Sequence, residues 1–312
     1  MATVYSEIPH NWSDIQNYVI TDKEEIVGIV IRAKKTLFYD TCSFRYHSNL
    51  NETNRSQLIS YYLKNDMAVI VTRTILMELA SFSGNLETCY IEYFKALQAS
   101  GVSVIVLDEE VIYDILTVCF STNEAINSYL LWAVRTLNAP VSTITETLTS
   151  DDALNDEVKK GKNQNSSEIY SRFFKAIRNN KESGDNLGEE ILAICLHILS
   201  HLPGTKDGKL CVITEDKGGA GKINSLLLST NRQHKGAKII IYSTPKMIQS
   251  MLYDGIAMGK KDLESFFRIE NASNISIIGT TEYDFCVEES MSLSKAELID
   301  MILVPGRINI LF

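Results

Sequence analysis

Four acidic positions stand where the hydrophobic pattern marks a strand end or a helix start. Asp40 closes the run Thr36-Leu37-Phe38-Tyr39, and Asp216 follows Cys211-Val212-Ile213-Thr214-Glu215. Glu78 lies seven residues beyond Val71, early in the segment that follows a second apolar run. Glu189, with Glu190 beside it, opens the helical stretch Gly188 to Ile194. Magnesium and manganese favour carboxylate and water oxygens. Carboxylates from separate elements could therefore converge on one hard divalent cation. Such a cation acidifies water and neutralises charge on phosphate oxygens, so the chemistry implied is metal-assisted phosphodiester cleavage, which needs no catalytic His or Cys.

Each acid also has an ordinary reading. Asp40 could cap the next helix, and Asp216 in a Lys- and Gly-rich segment could make a turn. Glu189 or Glu190 could complement a helix dipole, and Asp185-Asn186 could cap the same helix. Three acids, Asp185, Glu189 and Glu190, compete for the third position. If that helix starts at Asn186, Glu189 and Glu190 point about 100° apart, so one at most enters a shared pocket; Glu189 is preferred.

The elements that must position these acids alternate between strand and helix. Strands are expected at 36–39, 67–71, 102–107, 210–214 and 237–243, and helices at 55–64, 73–81, 86–100, 188–201, 246–253 and 260–267, with a helix or turn at 224–228. This alternation implies an α/β fold with a mostly parallel central sheet flanked by helices. Ligands of such sheets bind beyond the carboxyl ends of the strands, where Asp40 and Asp216 fall. The middle of the chain breaks the pattern. Helical periodicity from Val111 gives way to a polar stretch, then to 159–167, which lacks large apolar residues and reads as a mobile loop. A basic helix with Arg172, Lys175, Arg178 and Lys181 follows. The division expected is an N-terminal extension (1–35), a core (36–107 and 184–268), a helical insertion (108–183) and a C-terminal α+β appendage (269–312).

Four segments then resemble the motifs of PIN domains. Phe38-Tyr39-Asp40-Thr41 looks like the first, an apolar strand followed by Asp and a hydroxyl residue. Thr74 to Leu79, presenting Glu78, looks like the second. Asn186-Leu187-Gly188-Glu189 is similar to the third, and Thr214-Glu215-Asp216 to the fourth. The resemblance covers about 36–107 and 184–267 and departs from the family in its long second-to-third gap. It implies a PIN-like core and an endoribonuclease for single-stranded or structured RNA, using Mg²⁺ or Mn²⁺ held by Asp40, Glu78, Glu189 and Asp216. Thr214 would orient Asp216 or touch the scissile phosphate, and Thr41 would support Asp40. Lys217, Lys222, Arg172 and Lys175 are candidate contacts to the RNA backbone. Such nucleases are often restrained by a partner, so a toxin or defence role, with an inhibitory protein or a homo-oligomer, is compatible with the resemblance. The rival readings are a non-catalytic interaction protein of the same fold and a nuclease acting on DNA.

Other chemistries fit less well. The 312 residues carry a net charge of −9, which argues against nucleic-acid binding by bulk electrostatics. The segment 206–238 is nonetheless locally basic, with Lys206, Lys209, Lys217, Lys222, Arg232, Lys235 and Lys238. Gly218 to Lys222 imitates a phosphate loop, but Asp216 stands where the first glycine belongs and Ile223 where Ser or Thr belongs; a flexible loop is expected there instead. His197 and His201 are four apart without the Glu of a zinc motif. The six cysteines form no CxxC pair and read as buried free thiols of a cytoplasmic protein. No run approaches the ~20 apolar residues of a membrane span.

Overall fold

A computed structural model describes residues 5–137, 142–231, 236–267 and 274–312. In chain order the elements are α1 (Lys23–Arg32), β1 (Lys35–Tyr39), α2 (Thr41–Ser48), α3 (Glu52–Lys64), β2 (Met67–Thr72), α4 (Arg73–Ala80), α5 (Thr88–Ala99) and β3 (Val104–Leu107). Next come α6 (Ile112–Cys119), α7 (Asn123–Thr136), α8 (Thr143–Ser150), α9 (Asp152–Lys160) and α10 (Ser166–Asn179). The rest are α11 (Leu187–Ser200), β4 (Leu210–Ile213), α12 (Lys217–Asn231), β5 (Ile240–Tyr242), α13 (Thr244–Tyr253), α14 (Lys260–Phe266), β6 (Asn274–Thr281), β7 (Asp284–Ser294), α15 (Lys295–Ile302) and β8 (Ile308–Ile310).

Five strands form one parallel sheet in the order β3-β2-β1-β4-β5. Helices cover it, and its central strands are buried along almost their whole length; Leu37, Phe38, Val69 and Ile70 are fully enclosed. That is why these strands read as unbroken apolar runs rather than alternating ones. From β1 the chain winds one way through β2 and β3, and from β4 the other way to β5. The winding reverses between β1 and β4, which opens a crevice beyond their carboxyl ends. A second, antiparallel sheet has the order β7-β6-β8. Gln249 of α13 clips it to the core: its amide donates to the Ile308 carbonyl (2.8 Å) and its carbonyl accepts from Ile310 N–H (2.9 Å).

The flanking segments share the main core. Ile15, Val19, Ile26 and Val30 of the N-terminal stretch join it, as do Ile144, Leu154, Ile169 and Phe173 of the insertion. Ile20 bridges to Ile105, with its N–H on the Val104 carbonyl (2.7 Å), so the N-terminal stretch covers part of the β3 edge. Arg178 ties the insertion down. Its guanidinium, 2% exposed, binds Glu109 (2.6 Å), Glu110 (2.9 Å) and Glu7 (2.9 Å). Glu109 in turn accepts from Thr74 N–H (2.8 Å) in the first turn of α4.

Two expected loops are partly or wholly helical instead. The loop expected at 159–167 is shortened by α9 and α10, and the polar stretch before it forms α8 and α9, whose first turns Ser142 and Asp151 cap by accepting an amide. Only 161–165 links α9 to α10, and Asn127 holds it by donating to the Gly161 carbonyl (2.6 Å). The glycine-rich segment from Lys217 lies inside α12. Asp216 Oδ1 accepts from Gly218 N–H (2.7 Å) and satisfies an amide at the start of that helix. The cysteines depart from expectation too: all six are free, but only Cys195 and Cys211 are buried, and Cys42, Cys119 and Cys286 are exposed. Among the described residues no helix is long and apolar enough to cross a membrane.

Candidate functional site

The crevice between β1 and β4 brings the first and fourth acidic positions side by side. Tyr39 pairs with Ile213, and the Asp40 amide donates to the Ile213 carbonyl (3.0 Å). One hydroxyl then couples the two acids. Thr214 Oγ1 donates to Asp40 Oδ2 (3.0 Å) and accepts from Asp216 N–H (3.0 Å). Asp40 occupies the N-cap position of α2, yet its side chain makes no capping bond and turns to Thr214. Thr214 is 1% exposed, so it positions the two acids and is closed to a phosphate. Asp216 faces solvent and also serves the start of α12.

Glu78 enters from α4, whose first turn is capped by Thr72. The Thr41 hydroxyl donates to Glu78 Oε2, while Thr41 supports Asp40 through its backbone. Gly188 is where α11 passes over this carboxylate; a Cβ there would sit 2.8 Å from Glu78 Oε1. The Leu-Gly-Glu arrangement thus leaves room for Glu78 beneath the helix that carries Glu189. Gly219 of α12 plays the matching part, since a Cβ there would meet Glu189 Cγ at 3.0 Å and Asp216 Oδ2 at 3.5 Å.

The three competitors for the third position separate. Glu189 shares the field of the other acids: its carboxyl is pushed up to about 7, by burial first and then by the charges of Asp40 and Glu78, with Lys222 opposing. Asp40 is also raised, mainly by burial and further by Glu78 and Asp216, against the hydrogen bond from Thr214. Glu190 is buried and turns to the insertion, accepting from Ile144 N–H (3.4 Å) at the start of α8. Asp185 stays at the entry to α11, bound by Lys181 and by the amides of Glu182 (2.8 Å) and Leu187 (3.2 Å).

The basic candidates scatter. Lys222 is close enough to lower the Glu189 carboxyl. Lys217 reaches the small sheet, donating to Ser276 Oγ (2.5 Å). Arg172 pairs with Glu157 inside the insertion, and Lys175 is exposed on α10. Arg178 is committed to its three glutamates, so the basic helix is not one continuous RNA-facing surface. Arg232 and Lys235 lie outside the described residues.

The residue that sequence reasoning misplaced most is Lys181. Its Nζ stands 3.2 Å from Glu78 Oε1 and also binds Asp185, with the side chain 3% exposed. Burial works against its charge, but the two carboxylates hold the ammonium above its ordinary value. Its spacing of four from Asp185 was the available signal. A second feature, unread in the sequence, is Glu215. Its Oε1 accepts from Thr244 N–H (2.9 Å), the Thr244 hydroxyl (2.6 Å) and Ser43 (3.4 Å).

In donor type the set fits a hard divalent cation, since all four acids offer carboxylate oxygen. Among the described residues, however, no group of three or more His, Cys, Asp or Glu is arranged to hold a metal. Both Glu78 oxygens are engaged by Thr41 and Lys181, Asp40 Oδ2 by Thr214 and Asp216 Oδ1 by Gly218. Closing the acids on a cation requires side-chain rotation and release of Glu78 from Lys181.

No family model, curated protein or solved structure matches the chain.

Proposed function

We propose that the chain is a divalent-metal-dependent phosphodiesterase of PIN-like architecture that cleaves RNA. The observation that supports this most is the pair Asp40 and Asp216, held on one threonine at the point where the sheet reverses its winding, with Glu78 and Glu189 facing them from two helices. Asp40, Glu189 and Asp216 would hold Mg²⁺ or Mn²⁺, joined by Glu78 once Lys181 lets go. The bound ion would neutralise charge building on the scissile phosphate and acidify water. Thr214 keeps Asp40 and Asp216 in register, and Thr41 steers Glu78. Lys222 offers a positive charge beside the crevice for a flanking phosphate. The choice of RNA over DNA rests on the family resemblance.

Lys181 favours one second reading, a non-catalytic protein whose acidic crevice is permanently neutralised by lysine. Calorimetry with Mn²⁺, paired with cleavage of matched labelled single-stranded RNA and DNA, decides between them. The proposal expects Mn²⁺ binding that Asp40→Asn weakens at least tenfold, and metal-dependent cleavage of the RNA. Equal binding by wild type and variant, with no cleavage of either strand, establishes the second reading. Cleavage confined to the DNA moves the activity to a different substrate.

A further inference from the structure

Beside the acidic crevice lies a cavity of about 770 Å³, walled by α2, the β4–α12 junction and the start of α13, with Phe267 and Ile275 closing its far side. We infer that it receives a single unstacked nucleobase carrying an exocyclic amino group, with Glu215 as the reading group. The inference takes its ligand class from the proposed phosphodiesterase and adds a base preference to it.

The reading group is built in. Glu215 Oε1 takes donors from Ser43 and, twice, from Thr244. Thr244 is itself 3% exposed and accepts from His47 Nε2 (3.0 Å). His47 Nδ1 meets the Tyr39 hydroxyl (2.7 Å), which further contacts Tyr62 and Tyr93. Because the Thr244 proton goes to Glu215, His47 must donate through Nε2 and accept from Tyr39 at Nδ1. A buried chain of hydroxyls thus fixes one carboxylate oxygen of a residue that itself reaches the surface. Among the described residues Glu215 Oε2 receives no hydrogen bond. An acceptor oxygen fixed at a cavity wall pairs with an amino N–H and repels a carbonyl.

The remaining walls suit a planar ring. Tyr46 lines the cavity with its hydroxyl donated to the Phe266 carbonyl, and Arg45 stands at the rim, donating to the Glu78 carbonyl (2.8 Å). Unpaired bases are taken up by such aromatic and guanidinium planes and read on their Watson–Crick edges. The placement also suits a strand. Glu215 precedes Asp216, and Cys42, on the cavity wall, lies in the field of Asp40, Glu189 and Asp216. On this inference, a nucleotide bound with its phosphate at the crevice would turn its base toward this cavity.

The test is binding in EDTA, which removes cleavage and separates this inference from the metal site. Fluorescence anisotropy compares labelled cytidine and uridine pentaribonucleotides on the full chain, with cytidine and uridine 5′-monophosphates as competitors. The pentacytidylate is expected to bind about tenfold tighter, the scale of one well-placed base contact. Glu215→Gln should abolish or invert the preference, because its amide oxygen must take the place of Oε1 and turn the NH₂ toward the base. A pentamer of pyrimidin-2-one, cytosine without its amino group, should bind wild type no better than uridine; this arm needs no variant. Competition by the monophosphate at pentamer strength identifies a free nucleotide as the ligand, and its failure identifies a strand. Equal binding of cytidine and uridine pentamers by wild type overturns the inference, as does an unchanged ratio in Glu215→Gln or in the pyrimidin-2-one arm.

Discussion

Removing Lys181 probes the acidic crevice most sharply, because this lysine holds Glu78 and Asp185 together at the place a cation is expected to enter. In Lys181→Gln those two carboxylates keep their burial and lose their counter-charge, while Asp40, Glu189 and Asp216 remain nearby. Breaking a buried pair from one side costs about 3–5 kcal/mol. The Glu78 and Asp185 side chains are 17% and 11% exposed, so water reaches them in part and the lower end, about 3 kcal/mol, applies. At roughly 2 °C per kcal/mol for a chain of this size, the melting temperature in EDTA should fall by about 6 °C. Manganese should reverse much of the loss, since a ligand at 100 times its Kd adds about 2.7 kcal/mol. The variant should gain more from the metal than wild type, in which Mn²⁺ must first displace the lysine. Thermal melts followed by circular dichroism, with EDTA and across a Mn²⁺ titration, measure both quantities. An unchanged melting temperature in EDTA, or equal Mn²⁺ stabilisation of the two proteins, refutes the competition between Lys181 and metal.

Three further outcomes follow from the same geometry. Arg178→Ala leaves Glu109, which is fully buried, with only the Thr74 amide among its described partners, and urea denaturation should show a loss of about 3–5 kcal/mol. The Glu189 carboxyl is raised from 4.5 to about 7, so between those values the folded chain holds a proton that the unfolded chain releases. Metal-free stability should therefore fall as pH rises through that window, and Glu189→Gln should flatten the slope in melts run in EDTA. Gly188→Ala places a methyl 2.8 Å from Glu78 Oε1; calorimetry should show weakened Mn²⁺ binding, while melts in EDTA show a smaller loss than Arg178→Ala.

Much of the sheet was legible because parallel strands buried on both faces leave continuous apolar runs, as at 67–71 and 210–214. The acids at the ends of β1 and β4 were legible for the same reason, since the residue after such a run must lie at the sheet's rim. What escaped was set by contacts remote in sequence. Glycines at 218, 219 and 221 argue for a loop, yet they lie in α12, which needs Gly219 small to lie against Glu189. Lys181 and Arg178 read as solvent-facing charges on a basic helix, because nothing local reveals that Glu78 and Glu109 arrive from other elements to meet them. Glu215 sits beside Asp216 with no pattern of its own, and only the fold brings Thr244, His47 and Tyr39 into line behind it. The polar run before α10 lacked an apolar stripe broad enough to announce two short helices, which Ser142 and Asp151 cap.

The most direct measurement of the central claim is an anomalous diffraction map from crystals of the full chain grown with Mn²⁺. A peak bonded to carboxylate oxygens of Asp40 and Asp216, with Glu189 turned toward it and Lys181 withdrawn from Glu78, is the expected result. A crevice with no peak, Lys181 still on Glu78 and Asp40 still closed on Thr214 would contradict it.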